Sequence, residues 1–183
     1  MGNKKVRTGS RTLTMLFLYT LIFAPLLILS GCTATATKIQ DIQQRAIKSM
    51  RDPGEKLVSS PEKTAETYSC KAHTRSRLFL EHVEVIPNRV SPGDEVNQRI
   101  RYAFCPSTPS GMAKGQIIRT VLFRGEAMFQ DVTNYEFKPG TWAVDAFIVI
   151  PGDAQSGVYA IDVVLRYGRE TIRRSNSFMV KGR

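Results

Sequence analysis

From Thr67 onward, short segments with period-two alternation recur between clusters of turn residues, and this pattern constrains the fold more than any other feature. The cleanest is Val158–Tyr167, where Tyr159, Ile161, Val163, Leu165 and Tyr167 share one parity and Asp162 and Arg166 the other. Successive side chains of a strand point to opposite faces, so this is the pattern of a half-buried strand. In Val96–Phe104, Val96, Ile100, Tyr102 and Phe104 alternate with Arg99 and Arg101, and Gln98 interrupts the apolar face. Arg77–Val85, Gly115–Phe123, Ala127–Tyr135, Thr141–Ile150 and Glu170–Val180 are further strand candidates. Turn chemistry separates them at Pro87-Asn88, Ser91-Pro92-Gly93-Asp94, Cys105–Gly111, Phe137–Gly140, Pro151–Gly157 and Gly168-Arg169. About seven short strands with no helix-period segment between them predict an all-β antiparallel sandwich, not a parallel α/β sheet.

Before Thr67 the composition changes. Ile39, Ile42, Ala46 and Met50 fall on one helical face, with Lys38, Arg45, Lys48 and Arg51 mainly away from it. Asp52-Pro53-Gly54 stops this helix, and the stretch from Gly54 to Thr67 reads as a linker. A short basic amphipathic helix suits a membrane surface or a partner. It could equally pack on its own domain, since a dozen residues are marginal alone in water.

The first residues carry Lys4, Lys5, Arg7 and Arg11 and no acidic side chain, and Leu13–Leu29 then runs without a charge. A basic stretch followed by an apolar one is the pattern of an export signal. A spanning helix needs roughly 20 apolar residues, and Pro25 weakens a continuous one. The run closes on Leu29-Ser30-Gly31-Cys32, which resembles the lipobox of bacterial lipoproteins. That resemblance implies cleavage before Cys32, a diacylglycerol on its sulfur and an acyl group such as palmitate on the new amine. Two or more chains anchor stably where one does not. The alternative is an uncleaved anchor whose last turn contains a Cys. Thr33 is not the Asp that the family associates with inner-membrane retention. The resemblance therefore implies the outer membrane, or the outer face of the plasma membrane where there is only one, with the domain in the periplasm or at the surface. The expected organisation is a signal peptide over 1–31, a lipidated tether over 32–66 and a sandwich over 67–183.

With Cys32 assigned to lipid, Cys70 and Cys105 remain. An even pair in an exported protein reads as a disulfide, two buried thiols being the alternative. Closing a loop of about 35 residues would remove about 4 kcal/mol of unfolded-state entropy in the chain-entropy account.

The stretch Ile150-Pro-Gly-Asp-Ala-Gln-Ser-Gly-Val-Tyr-Ala-Ile-Asp-Val resembles the E–F corner of bacterial immunoglobulin-like and fibronectin-like modules. Asp153, Gly157 and Tyr159 match that corner, and the resemblance implies a Tyr159 hydroxyl bonded back to the turn. The chain departs from antibody domains at Ile161, where strand F would carry a Cys. Any Cys70–Cys105 bridge is then a local solution. The resemblance implies a fold and no chemistry.

Little in the sequence suggests catalysis. His73 and His82 lack the spacing of a zinc site. Ser110-Gly111 and Ser156-Gly157 lie in turns outside any nucleophile-elbow motif. Asp145 and Asp162 sit in successive strand candidates and could pair for acid–base work, but outward, solvated positions are the simpler reading. No metal or cofactor is expected. Arg99, Arg101, Arg166, Arg169, Arg173 and Arg174 form a candidate patch for an anionic partner, because guanidinium presents a planar fork to phosphate and carboxylate. An ordinary charged sandwich face is the alternative, and the compartment argues against nucleic acid. Phe129, Tyr135, Phe137 and Trp142 surround one predicted hairpin, either as core or as a patch for sugar or peptide. The expected function is that of a non-enzymatic envelope lipoprotein, a docking or accessory subunit of a secretion or surface-structure complex held to the membrane by its lipid. The alternative is a periplasmic ligand-binding or protease-inhibitor module.

Overall fold

A computed structural model of the chain describes residues 33–72, 74–108 and 111–182. The chain divides into two units, residues 1–40 and 41–183. Of the first, the described part is the opening of helix α1 (Thr33–Ser49). The leader and Cys32, with the lipidation expected there, lie outside the described residues. Among the described residues no helix is long and apolar enough to cross a membrane.

The second unit is a two-sheet sandwich. Its strands are β1 (Gly54–Ser59), β2 (Arg77–Ile86), β3 (Arg89–Val90), β4 (Glu95–Cys105), β5 (Ala113–Phe123), β6 (Glu126–Phe137), β7 (Gly140–Val149), β8 (Gly157–Tyr167) and β9 (Glu170–Val180). The first sheet runs β1-β7-β4-β2 and the second β3-β9-β8-β5-β6. All pairs are antiparallel except β3 with β9. The seven expected strands are present within two residues of their predicted ends, and β1 and β3 are additional.

β1 corrects the reading of residues 54–66 as a linker, and moves the start of the sandwich from 67 to 54. It pairs with β7 from Gly54 opposite Asp145 to Ser59 opposite Thr141. A short helix, α2 (Pro61–Thr67), follows; Ser60 Oγ caps it by accepting from the Lys63 N–H at 3.3 Å, with Pro61 in the first turn. Thr64 is buried and shares a 3.0 Å hydroxyl bond with Thr141 of β7, which holds α2 on the first sheet. Cys70, in the 3-10 turn Cys70–Ala72, is bridged to Cys105 at the end of β4, with Cα atoms 5.4 Å apart.

The inward parity of each strand builds the core. Ile100, Tyr102 and Phe104 of β4 meet Ile117 of β5 and Ile161 and Leu165 of β8, all essentially excluded from water. Burying a side chain of this size contributes about 1.5–3 kcal/mol. One side of the sandwich is closed where β9 meets β2. There Arg174 Nε donates to the Leu80 carbonyl and Asn176 Nδ2 to the Val83 carbonyl, each at 2.9 Å.

Helix α1 follows its expected periodicity but docks by the opposite face. From Asp41 on, its polar side meets the sandwich. Lys48 pairs with Glu95 and Arg51 with Glu84, both at 2.9 Å, and Asp41 lies 3.3 Å from Lys181. The Asn88 backbone N–H donates to Gln44 Oε1 at 2.8 Å.

Candidate functional site

Opposite the closed side, the two sheets part. The lower half of this opening is sealed through β1. Glu55 accepts from Tyr135 Oη at 2.6 Å and pairs with Lys138, and Tyr102, Tyr135 and Phe137 meet edge to face behind it. Burial and the Glu55 bond push the Tyr135 phenol well above its ordinary pKa, so it stays a neutral donor.

The upper half is open. β1 ends its pairing at Asp145, so Ala146–Val149 of β7 have no strand neighbour on that side among the described residues. The outer edge of β6 is likewise unpaired. Between these two edges lies a cleft of about 590 Å³ lined by Phe123, Met128, Phe129, Phe147, Ile148 and Tyr159, among others. Met128 and Phe129 are 60% and 55% exposed. Phe129 has the same parity along β6 as Asp131, Thr133 and Tyr135, yet it stays largely exposed on the cleft wall.

The cleft floor is the turn that resembles an E–F corner. Tyr159 is buried and stacks between Phe123 and Phe178, at centroid distances of 4.5 and 5.5 Å. Its hydroxyl donates to the Gln155 carbonyl at 3.0 Å, as the resemblance implies. Gly157 has φ +150°, and a Cβ there would stand 2.9 Å from the Phe123 ring, so the close ring packing requires glycine. Asp153 is exposed and lines the cleft.

One layer deeper, in the inter-sheet interior, Arg119 of β5 is buried. Its Nε donates to Gln98 Oε1 of β4 at 2.7 Å and its Nη1 lies 3.3 Å from Asp131 of β6. This is why Gln98 interrupts the apolar face of β4: it supplies an acceptor across the sheets. Burial lowers the Arg119 pKa, partly offset by Asp131. The Gln98 amide nitrogen remains buried without a partner among the described residues.

The structure separates the six candidate arginines. Arg99 and Arg101 lie on the first sheet, Arg99 in a two-pronged bond to Asp145 at 2.8 and 2.6 Å and Arg101 2.5 Å from Glu81. The other four are on the second sheet. Arg173 pairs with Asp162, and Arg174 is spent on the Leu80 carbonyl. Arg166 and Arg169 are exposed at the β8–β9 hairpin and make no ion pair among the described residues. They therefore form no single patch. Asp145 and Asp162, placed in successive strands by the sequence, lie in different sheets, each buried under its arginine and not solvated. That distribution corrects the acid–base pairing considered for them. Phe137 and Tyr135 pack inward, as a core reading requires, and Trp142 is half-buried with its Nε1 bonded to the Pro139 carbonyl at 2.9 Å. His82 is exposed, and His73 and Ser110 lie outside the described residues. No cluster that could hold a metal occurs among the described residues.

No protein family matches the chain, and no curated protein matches it. Some solved structures match parts of the chain at low similarity. A family 123 glycoside hydrolase from Clostridium perfringens matches at 14% identity and a TM-score of 0.39, over 51% of this chain and 22% of that one. The alkylpurine DNA glycosylase AlkC of Pseudomonas fluorescens matches at 13% identity and 0.41, over 67% and 35%. The sporulation control protein Spo0M of Bacillus subtilis matches at 12% identity and 0.33, over 58% and 47%. The chain spans less than half the length of each. At these scores the likenesses carry no argument about activity.

Proposed function

We propose that this chain is a non-enzymatic cell-envelope lipoprotein, anchored through Cys32, whose immunoglobulin-like sandwich acts as a docking or accessory subunit of an envelope assembly. The membrane part of the reading rests on the lipobox that closes the apolar leader. The Cys70–Cys105 bridge accords with an oxidising compartment. The tyrosine-corner bond of Tyr159 supports the immunoglobulin-like assignment.

The observation that carries docking is the apolar cleft between two unpaired strand edges. Unpaired backbone along β6 and the end of β7 can accept an added strand, while the pocket between them takes that strand's apolar side chains. Exposed aromatic and methionine side chains in a cleft are the composition of a binding surface. Pull-down from detergent-solubilised membranes tests this. A stoichiometric partner should be captured by the native chain and lost, at least tenfold, with Phe129→Lys, while Arg169→Glu leaves capture unchanged. Equal capture by both variants would place docking elsewhere.

A second reading, a ligand-binding or inhibitory module, is favoured by the cleft volume, which lies in the roughly 300–1,000 Å³ range of small-molecule sites. Native mass spectrometry of membrane-extracted protein separates the two, since a bound small molecule supports this second reading.

A further inference from the structure

The apolar stripe of helix α1 points away from the domain on which the helix packs. A helix that belongs only to a globular domain turns its apolar stripe to the core and its charges to water. Here, within residues 41–50, Gln44, Lys48 and Asp41 meet the sandwich. Ile42, Ala46 and Met50, one turn apart on the opposite face, are left outside. Ile42 is 69% and Met50 82% exposed. The polar side is therefore satisfied by the sandwich, and the apolar side has no cover among the described residues.

What lies ahead of the helix says what that cover is. The expected leader and lipid site end at Cys32, and α1 begins at the next residue, Thr33. The uncharged run Leu13–Leu29 and the lipobox cysteine lie immediately before it. Ile42 and Met50 follow Cys32 by only ten and eighteen residues of chain. No part of the stripe can stray far from the point where the chain enters the bilayer. Lys38, exposed beside the stripe, is a long cationic side chain of the kind that reaches the headgroup level, while Arg45 on the same side lies 3.7 Å from Asp94 of the sandwich. A covalent anchor raises the local concentration of bilayer at the helix, so even a short stripe engages it.

We infer that residues 42–50, the second half of α1 and the turn residue that follows it, lie on the lipid surface by the Ile42, Ala46 and Met50 face while the opposite face holds the sandwich. The helix thus acts as a fixed bracket that sets the orientation of the domain on the membrane, not as a loose tether. This inference rests on the proposed membrane anchorage of the chain at Cys32.

The test uses the full chain, exported with its own leader, extracted from membranes and reconstituted in phosphatidylethanolamine–phosphatidylglycerol vesicles. With Cys32 acylated and Cys70–Cys105 bridged, Ile42→Cys, Met50→Cys and Arg169→Cys each offer one thiol for an environment-sensitive fluorophore. Labels at 42 and 50 should emit to the blue of the label at 169 and be quenched several-fold more strongly by doxyl lipids. This difference should persist at one protein per vesicle. Aqueous emission at all three positions, in protein whose N-terminus carries lipid by mass spectrometry, overturns the inference and leaves the anchorage intact. A blue shift at 42 and 50 that vanishes on dilution also overturns it, and assigns the face to a second copy. If the native chain takes label at Cys32 and stays out of the membrane fraction, the anchorage itself fails, and the inference with it.

Discussion

Arg119 Nε donates to Gln98 Oε1 at 2.7 Å across the interior of the sandwich, joining β5 of one sheet to β4 of the other. The bond puts a cation and an amide where the strand pattern reserves apolar side chains. It is tolerated because Asp131 stands 3.3 Å from the other side of the guanidinium. Replacing Gln98 by Leu removes the acceptor and leaves the Arg119 Nε–H buried. Since bonds to charged groups contribute about 1.5–3 kcal/mol, a loss of that order is expected in urea melts. The double change Gln98→Leu with Arg119→Met should recover most of it, because it removes both polar partners. A double variant no more stable than Gln98→Leu alone would show that Arg119 is held by Asp131 and not by the cross-sheet bond.

Tyr159→Phe keeps the ring stacked on Phe123 and Phe178 and deletes the bond to the Gln155 carbonyl. Gln155 is exposed, so water can replace the lost donor, and the cost should be about 0.5–1.5 kcal/mol. Ser156→Ala in the same turn should cost less than roughly 0.5 kcal/mol. Equal and negligible losses would reduce Tyr159 to an ordinary strand residue.

Cys70→Ala with Cys105→Ala opens the bridge between the α2 segment and the end of β4. Losing a native disulfide typically costs 2–5 kcal/mol, so the denaturant midpoint should fall accordingly. Peptide mapping without reductant should recover the two cysteines as one linked species. Two alkylatable thiols in protein kept from reductant would contradict the bridge.

Acid should weaken the sandwich. Burial alone would raise the pKa of Glu55, but its bonds to Lys138 and Tyr135 outweigh it and hold the carboxyl below its ordinary value. Asp162 behaves alike, with burial outweighed by Arg173 and Ser175. A carboxylate whose pKa is lower in the folded than in the unfolded chain stabilises above the unfolded pKa, about 4 here, and that stability is lost as pH falls through the folded value. Urea midpoints should hold steady from pH 7 to about 5 and drop below pH 4, less steeply in Asp162→Asn. An identical profile in that variant would remove the Arg173 pair from the account.

The period-two segments from Arg77 to Val180 were legible because each strand buries one face, and burial on one face writes alternation into the chain. β1 was not legible: Glu55, Lys56, Leu57 and Val58 are all exposed, so no face is marked. Its place depends on Glu55 reaching Tyr135 and Lys138 from about eighty positions away. The start of α2 was written in Ser60-Pro61-Glu62 and needed only to be recognised as a cap.

The sequence by itself determined which residues are apolar and with what period, hence seven of the nine strands of the sandwich, the helical stripe of α1 and the expectation that Cys70 and Cys105 pair. Only the tertiary structure decided which surfaces those patterns cover. Phe129 has inward parity yet stands half out of a cleft, because parity assigns a face and the extent of the opposite sheet decides whether that face is covered. The six arginines have one chemistry in the sequence and scattered roles in the fold, because acceptors on Glu81, Asp145, Asp162 and Leu80 meet four of them only after the strands pair. Helix α1 turns its charged side inward for the same reason: Glu84 and Glu95 converge on it from distant strand segments, and no local pattern records where distant carboxylates will meet.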